Sequence, residues 1–101
     1  MARWVATFKT ADFKEGEGKI FDRGKKSIAL FRYQGSFYAI NNYCPHQFGP
    51  LGEGSLVHNV VACPWHAWQF DIITGEAVHD ESLKQKCYAV KEQRGRVYVQ
   101  I

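Results

Sequence analysis

The stretch NYCPHQFGPLGEG, residues 42–54, places a cysteine and a histidine two positions apart in a segment rich in proline and glycine. A second stretch, ACPWHAWQFD at residues 62–71, carries the same two residue types three positions apart. The four candidate ligands are Cys44, His46, Cys63 and His66. Two matched pairs on two turn-rich segments indicate that four side chains converge on one metal centre. A cysteine–histidine protease fits poorly, because it would use one such pair and leave the other unexplained.

Composition and charge exclude several classes of protein. The chain has 101 residues, 46% of them hydrophobic, which predicts one folded domain. Its 13 basic and 10 acidic residues are scattered, so we expect no nucleic-acid binding. The sequence contains neither an apolar run long enough for a membrane span nor a signal peptide, so we expect a cytoplasmic protein without a membrane partner. Its three cysteines cannot all form disulfides, which again favours metal ligation.

Short runs of β-branched and aromatic residues alternate with Gly- or Asn-containing turns, and this pattern predicts an all-β fold. The predicted strands are Trp4–Phe8, Lys19–Asp22, Ser27–Tyr33, Ser36–Asn41, Val60–Ala62, Trp68–Asp71, Lys86–Lys91 and Arg96–Gln100. Around Asp80–Leu83 the sequence suggests a brief helix or a loop. Frequent turns between short strands indicate an antiparallel sandwich or small barrel.

Two kinds of metal centre are compatible with two Cys/His pairs. A tetrahedral zinc site accepts two cysteines and two histidines, as in a zinc-stabilised interaction module. Small zinc modules, however, depend on the metal because they lack a core, whereas this chain has enough apolar residues to form one. The alternative is a [2Fe–2S] cluster with two cysteines on one iron and two histidines on the other.

The two stretches resemble the Rieske motif. Its pattern is Cys-x-His followed by a leucine and a glycine, then Cys-Pro-x-His, an aromatic residue and Phe-Asp. The matching residues are Cys44, His46, Leu51, Gly54, Cys63, Pro64, His66, Phe70 and Asp71, with Thr74-Gly75-Glu76 at the turn that follows. The resemblance implies a single Rieske domain over residues 1–101, with a cluster-binding part at about 43–79 inserted in a base formed by 1–42 and 80–101. It also implies a [2Fe–2S] cofactor held by the two Cys/His pairs.

Within this family, the chain resembles small bacterial Rieske-type ferredoxins and nitrite reductase small subunits. The resemblance therefore implies one-electron transfer rather than catalysis. The expected role is a carrier between a flavin-containing reductase and a terminal oxygenase. Two alternatives stay open, namely the small subunit that joins a nitrite reductase large subunit, and the zinc-stabilised interaction module. The imidazole edges would lie at the docking face, beside Gln47, Phe48 and Trp65.

Other residues have simpler interpretations. His58 and His79 are expected at the surface, and Cys87 is expected to be a small buried hydrophobe rather than a ligand. The aromatic residues expected in the core are Trp4, Phe31, Tyr33, Phe37, Tyr88 and Tyr98.

Departures from the family pattern bear on the redox potential. High-potential relatives carry a disulfide between the two loops and a Ser hydroxyl after the second histidine, whereas here Ala67 follows His66 and neither loop has a spare cysteine. We therefore expect a low potential, which falls further at alkaline pH as the ligand imidazoles lose protons.

Overall fold

The computed structural model describes residues 3–43, 49–64 and 68–101, and within them the protein is built from twelve β-strands. All strand pairs are antiparallel, which confirms the all-β prediction. Two single-turn 3₁₀ helices, Thr10–Asp12 and Leu51–Glu53, interrupt the strands. Among the described residues, no helix is long and apolar enough to cross a bilayer.

The strands form three sheets. The terminal sheet, in the order β1-β12-β11, joins the two ends of the chain and contains β1 (Trp4–Lys9), β11 (Val90–Gln93) and β12 (Arg96–Gln100). The central sheet, in the order β10-β4-β3-β2, contains β2 (Gly18–Arg23), β3 (Lys26–Tyr33), β4 (Ser36–Asn41) and β10 (Cys87–Tyr88). The loop-side sheet runs β5-β6-β7-β8-β9 and contains β5 (Ser55–Val57), β6 (Val60–Ala62), β7 (Gln69–Asp71), β8 (Glu76–Ala77) and β9 (Asp80–Lys84).

Strand β3 contributes to both sides of the interior. Its side chains alternate in direction, as strand geometry requires, and five consecutive residues from Ser27 to Phe31 are buried. Ile28 and Leu30 belong to one core, which we call the base core, while Ala29 and Phe31 belong to a second, the loop-side core. Fully burying each large apolar side chain stabilises the fold by about 1.5–3 kcal/mol, so β3 is the strand on which both halves depend.

The two cores contain different residues. The base core lies between the terminal and central sheets and consists of Phe13, Ile28, Leu30, Ala39, Val97 and Val99. The loop-side core lies between the central and loop-side sheets and consists of Ala29, Phe31, Ile40, Leu51, Val61, Cys63, Phe70, Ile72 and Ala77. The candidate ligand Cys63 is therefore part of a packed interior.

Several strand predictions are confirmed and others are wrong. Strands β4, β6 and β12 have the predicted bounds. The single strand predicted over residues 86–91 is instead two, β10 and β11, which lie in different sheets. The brief helix or loop predicted around Asp80–Leu83 is strand β9, because this segment pairs with β8.

Two core predictions also need correction. Trp4 is 40% exposed, since it lies on the open face of the terminal sheet with the Lys91 ammonium 4.5 Å from its ring centroid. Tyr98 lies on the same face, with the Lys91 ammonium 5.7 Å from its ring centroid, and is partly exposed. The core prediction is confirmed for Phe31, which is fully buried, whereas Tyr33, Phe37 and Tyr88 pack at the margins of the two cores and stay partly exposed.

Candidate metal centre

The first candidate loop begins where strand β4 ends. Tyr43 and Pro50 face each other in an isolated antiparallel bridge, and the Leu51 N–H donates a 2.7 Å hydrogen bond to the Asn42 carbonyl. The chain between these residues is thus closed into a loop at its base. The predicted ligands Cys44 and His46 fall within that loop and lie outside the described residues.

The second candidate loop is the end of the β6–β7 hairpin. Ala62 pairs with Gln69, and beyond this pair the Cys63 N–H donates a 2.7 Å hydrogen bond to the Trp68 carbonyl. The hairpin therefore places Cys63 at the first position of a short closed loop. The remaining predicted ligand, His66, lies in that loop and outside the described residues.

The bases of the two loops are in direct contact. A Cβ atom built on Gly54, just after the first loop, would lie 2.1 Å from the Ala62 carbonyl oxygen, just before the second. Only glycine permits this approach, because any side chain would collide with main-chain atoms there. Leu51 and Cys63, which flank the contact, are both buried in the loop-side core. The fold thus brings the two ligand-bearing segments to one end of the domain.

The described donor fits an iron–sulfur centre. Cys63 is 2% exposed and forms no disulfide, so its sulfur is free for ligation and protected from bulk water. Iron–sulfur clusters are held by cysteine thiolates, and their stability benefits from limited solvent access. Phe70, fully buried, stacks on Trp68 at a centroid separation of 6.5 Å and forms an apolar wall behind the second loop. A buried free thiol between two closed loops is suited to hold such a cluster.

The turn after β7 is held by its own side chains. The Asp71 carboxylate accepts hydrogen bonds from the N–H groups of Ile73 at 2.8 Å and Thr74 at 3.3 Å. Gly75 then adopts a positive φ of 83°, and a Cβ there would lie 2.3 Å from the Gln85 carbonyl oxygen. The turn predicted at Thr74-Gly75 is therefore confirmed. Its glycine serves both the positive φ and the close approach of the Gln85 main chain.

The other cysteine and histidines lie where ligation is not expected, with one correction. His58 is exposed at the β5–β6 turn with φ of 54°, and His79 is exposed, as predicted. Cys87 was predicted to be buried, but its side chain is exposed on β10, the edge strand of the central sheet. Partial desolvation raises the pKa of the Cys87 thiol, and the Lys84 charge only partly offsets this effect. The residue is therefore a poor nucleophile at neutral pH.

Sequence reasoning missed two buried polar residues beside the first loop. Asn42 is 2% exposed and Gln85 is 4% exposed, and both side chains bond to the main chain around the loop base. Asn42 is the first residue of the Cys/His stretch, which is a weak sequence signal. Gln85 carries none, because only the tertiary fold brings it there.

A profile of the Rieske [2Fe-2S] domain family matches residues 3–94, nearly the whole chain. The protein belongs to the Rieske [2Fe-2S] family. Its cofactor is accordingly a [2Fe–2S] cluster, which confirms the cluster over the zinc alternative. The family match also confirms the predicted fold class.

Individual relatives with similar sequences are ferredoxin components of oxygenase systems. This Rieske domain is 33% identical over 89 residues to the ferredoxin component of the alkene monooxygenase system of Xanthobacter autotrophicus, covering 87% of this chain and 73% of the relative. It is 31% identical over 99 residues to the ferredoxin component of the naphthalene 1,2-dioxygenase/salicylate 5-hydroxylase systems of a Ralstonia species, covering 97% and 95%. These similarities confirm a ferredoxin-type electron carrier rather than a catalyst.

Solved structures agree on the fold. A chain in the complex of reduced oxygenase and oxidized ferredoxin of carbazole 1,9a-dioxygenase superimposes with a TM-score of 0.89 at 28% identity, covering 95% of this chain and 91% of that one. The putative NADH-dependent nitrite reductase small subunit of Mycobacterium tuberculosis gives a TM-score of 0.91, at 20% identity and with 100% and 96% covered. At that identity, the second similarity demonstrates a shared fold only.

Proposed function

We propose that this Rieske domain is the electron carrier of an oxygenase system, taking one electron from a flavin-containing reductase and delivering it to a terminal oxygenase. The observation that carries the proposal is the similarity to oxygenase-system ferredoxins along 97% of the chain. The structure of a relative in complex with its oxygenase supports the choice of partner. The nitrite reductase alternative has no comparable support, because its similarity extends to the fold alone.

We further propose that Cys44 and Cys63 hold one iron and that His46 and His66 hold the other. Support comes from the closed bases of both loops and from the contact between Gly54 and Ala62, which bring the two pairs to one end of the domain. When bound, the cluster supplies a site that gains and loses one electron. The cluster-binding part at about 43–79 would then present this end to both partners.

The residues around the loops would limit water access. Leu51 and Phe70 are fully buried beneath the two loops, and Trp68 packs against Phe70. Burial of this kind reduces hydration of the ligands and is one of the factors that set the potential. Main-chain hydrogen bonds close the base of each loop, which would hold the described residues beside the cluster in place when an electron moves.

We also propose that the protein is located in the cytosol. An exposed free cysteine such as Cys87 is compatible with a reducing compartment, where thiols are not oxidised to disulfides.

The experiment is a reconstitution with a flavin-containing reductase and a terminal oxygenase. Purified protein should contain iron and acid-labile sulfide in equal amounts, and substrate oxidation should require its addition. The Cys63→Ala variant is the control and should not support turnover. Stable co-purification with a nitrite reductase large subunit, together with no stimulation of an oxygenase, would contradict the proposal.

A further inference from the structure

Gln85 is a buried amide that bonds to the chain entering the first ligand loop. It is 4% exposed, and its Nε2 group donates hydrogen bonds to the Asn41 carbonyl at 2.9 Å and to the Tyr43 carbonyl at 2.6 Å. The Tyr43 carbonyl belongs to the peptide that joins Tyr43 to the proposed ligand Cys44. The amide therefore fixes the last described peptide before the ligand.

The main chain of Gln85 is itself held in place. Its N–H donates to the Gly75 carbonyl at 2.7 Å, and the next carbonyl, that of Lys86, accepts a 2.8 Å bond from the Asn41 N–H. Strand pairing continues beyond this point, with Cys87 opposite Ile40. Because the sheet is paired through its main chain, the side-chain amide is not needed to join β10 to β4. Its bond to Tyr43 extends past the end of β4, toward the loop.

The opposite side of the loop base is fixed by Asn42. Its Nδ2 group donates to the Ser27 hydroxyl at 3.0 Å, and its Oδ1 accepts from the Gly52 N–H at 2.8 Å. The Ser27 hydroxyl donates its own hydrogen to the Asp22 carboxylate, so it can only accept from Asn42. Asn42 thus ties the loop entrance to its exit and to strand β3. The hydrogen bonds of Asn42 do not reach the Tyr43 carbonyl, which instead accepts a hydrogen bond from Gln85.

We propose that Gln85 is a positioning residue for the iron–sulfur centre, fixing the peptide before Cys44 and thereby retaining the cluster. This inference rests on the proposed ligand set. A buried amide is costly unless its hydrogen bonds are made, and here both donors are used on the approach to one ligand. Removing them frees the loop entrance while the strands on either side stay paired.

The test compares iron release from holoprotein variants in excess chelator. Gln85→Met keeps the side-chain volume and removes both donors. Thr7→Val is the matched control, because it removes a 2.7 Å side-chain bond to the Val97 carbonyl in the terminal sheet. Gln85→Met should release iron roughly tenfold faster than wild type, the factor expected when two buried hydrogen bonds hold the loop closed. Thr7→Val should release iron at the wild-type rate.

A second variant keeps the test decisive if Gln85→Met does not fold. Gln85→Asn retains a buried amide that is one methylene too short to reach both carbonyls, and its release rate should fall between those of wild type and Gln85→Met. The EPR spectrum of the reduced Gln85 variants should also shift, whereas that of Thr7→Val should not. Equal release rates and unchanged spectra in all variants would overturn the inference. Absence of iron and sulfide from the wild-type protein would instead overturn the proposed function.

Discussion

Gly54→Ala tests the contact that brings the two loops together. The backbone at Gly54 has φ of −76° and ψ of 168°, which any residue adopts, so the substitution introduces no backbone strain. Its cost is steric, because the new Cβ would lie 2.1 Å from the Ala62 carbonyl oxygen and 3.0 Å from Val61 Cγ2. Overpacking of this kind costs about 1–3 kcal/mol. The strand end that carries Cys63 must move to relieve it.

The assay is thermal unfolding of the holoprotein at a fixed scan rate, with visible circular dichroism of the cluster recorded at the start. In a domain of this size each kcal/mol lowers the melting temperature by roughly 4–8 °C, so a cost of about 1–3 kcal/mol predicts a decrease of about 4–24 °C. The visible spectrum of Gly54→Ala should change, since the Cys63 main chain is displaced.

Gly95→Ala is the matched control. Gly95 has φ of 76° but no heavy atom within 4 Å of a built Cβ, so its substitution strains the backbone without a collision. This strain costs about 1–2 kcal/mol and lies in the turn between β11 and β12 of the terminal sheet, away from both ligand loops. The visible spectrum should be unaltered. A Gly54→Ala protein with the wild-type melting temperature and spectrum would refute the close-contact reasoning, as would an equal spectral change in Gly95→Ala.

Three further predictions concern the cysteines and the potential. Cys63→Ala should abolish the visible absorption, whereas Cys87→Ala should preserve it; loss of the cluster in the second variant would contradict the ligand assignment. Because the pKa of the Cys87 thiol is raised, iodoacetamide should modify Cys87 more slowly than free cysteine at neutral pH, and the rate should increase as the pH rises. Mass spectrometry can follow the reaction. A rate as high as that of free cysteine would disprove the shift. The midpoint potential at neutral pH should be on the order of −150 mV by protein-film voltammetry, because Ala67 offers no hydroxyl to the cluster, and a value well above zero would contradict this argument.

Much of the fold could be predicted because its central strands are long and rich in apolar residues. Strand β3 has five consecutive buried residues, and the turns at Gln34-Gly35 and Arg94-Gly95 have positive φ angles at both positions, the conformation that two-residue hairpin turns favour. Strands β5 and β8 were not predicted. The two residues of β8 are too few to carry a periodic signal, and β5 is a strand only through its pairing with β6.

Strand β9 shows why local sequence can mislead. The Asp80 carboxylate accepts bonds from the Ser82 N–H and hydroxyl, a local arrangement that also occurs at the start of helices. Pairing with β8 determines the outcome instead, with Glu76 opposite Lys84. Tertiary context overrides local preference at this position.

In the candidate site, the ligand residues could be predicted from the sequence, whereas the supporting residues could not. The Cys/His pairs were evident because metal ligation requires particular side chains at restricted spacings. The supporting residues were not, because a buried amide such as Gln85 acquires its role from a partner 42 positions away in sequence. The exposure of Cys87 was equally hidden, since strand pattern indicates which residues alternate but not which face is covered.

Pulsed EPR of the reduced protein tests the central claim most directly. The proposed ligand set places two imidazole nitrogens on one iron of the cluster, and such nitrogens give strong hyperfine couplings that an all-cysteine cluster lacks. The account predicts two coordinating nitrogen signals in the wild type and in Cys87→Ala. A spectrum with no coordinating nitrogen, or a purified protein that holds zinc without iron or sulfide, would contradict it.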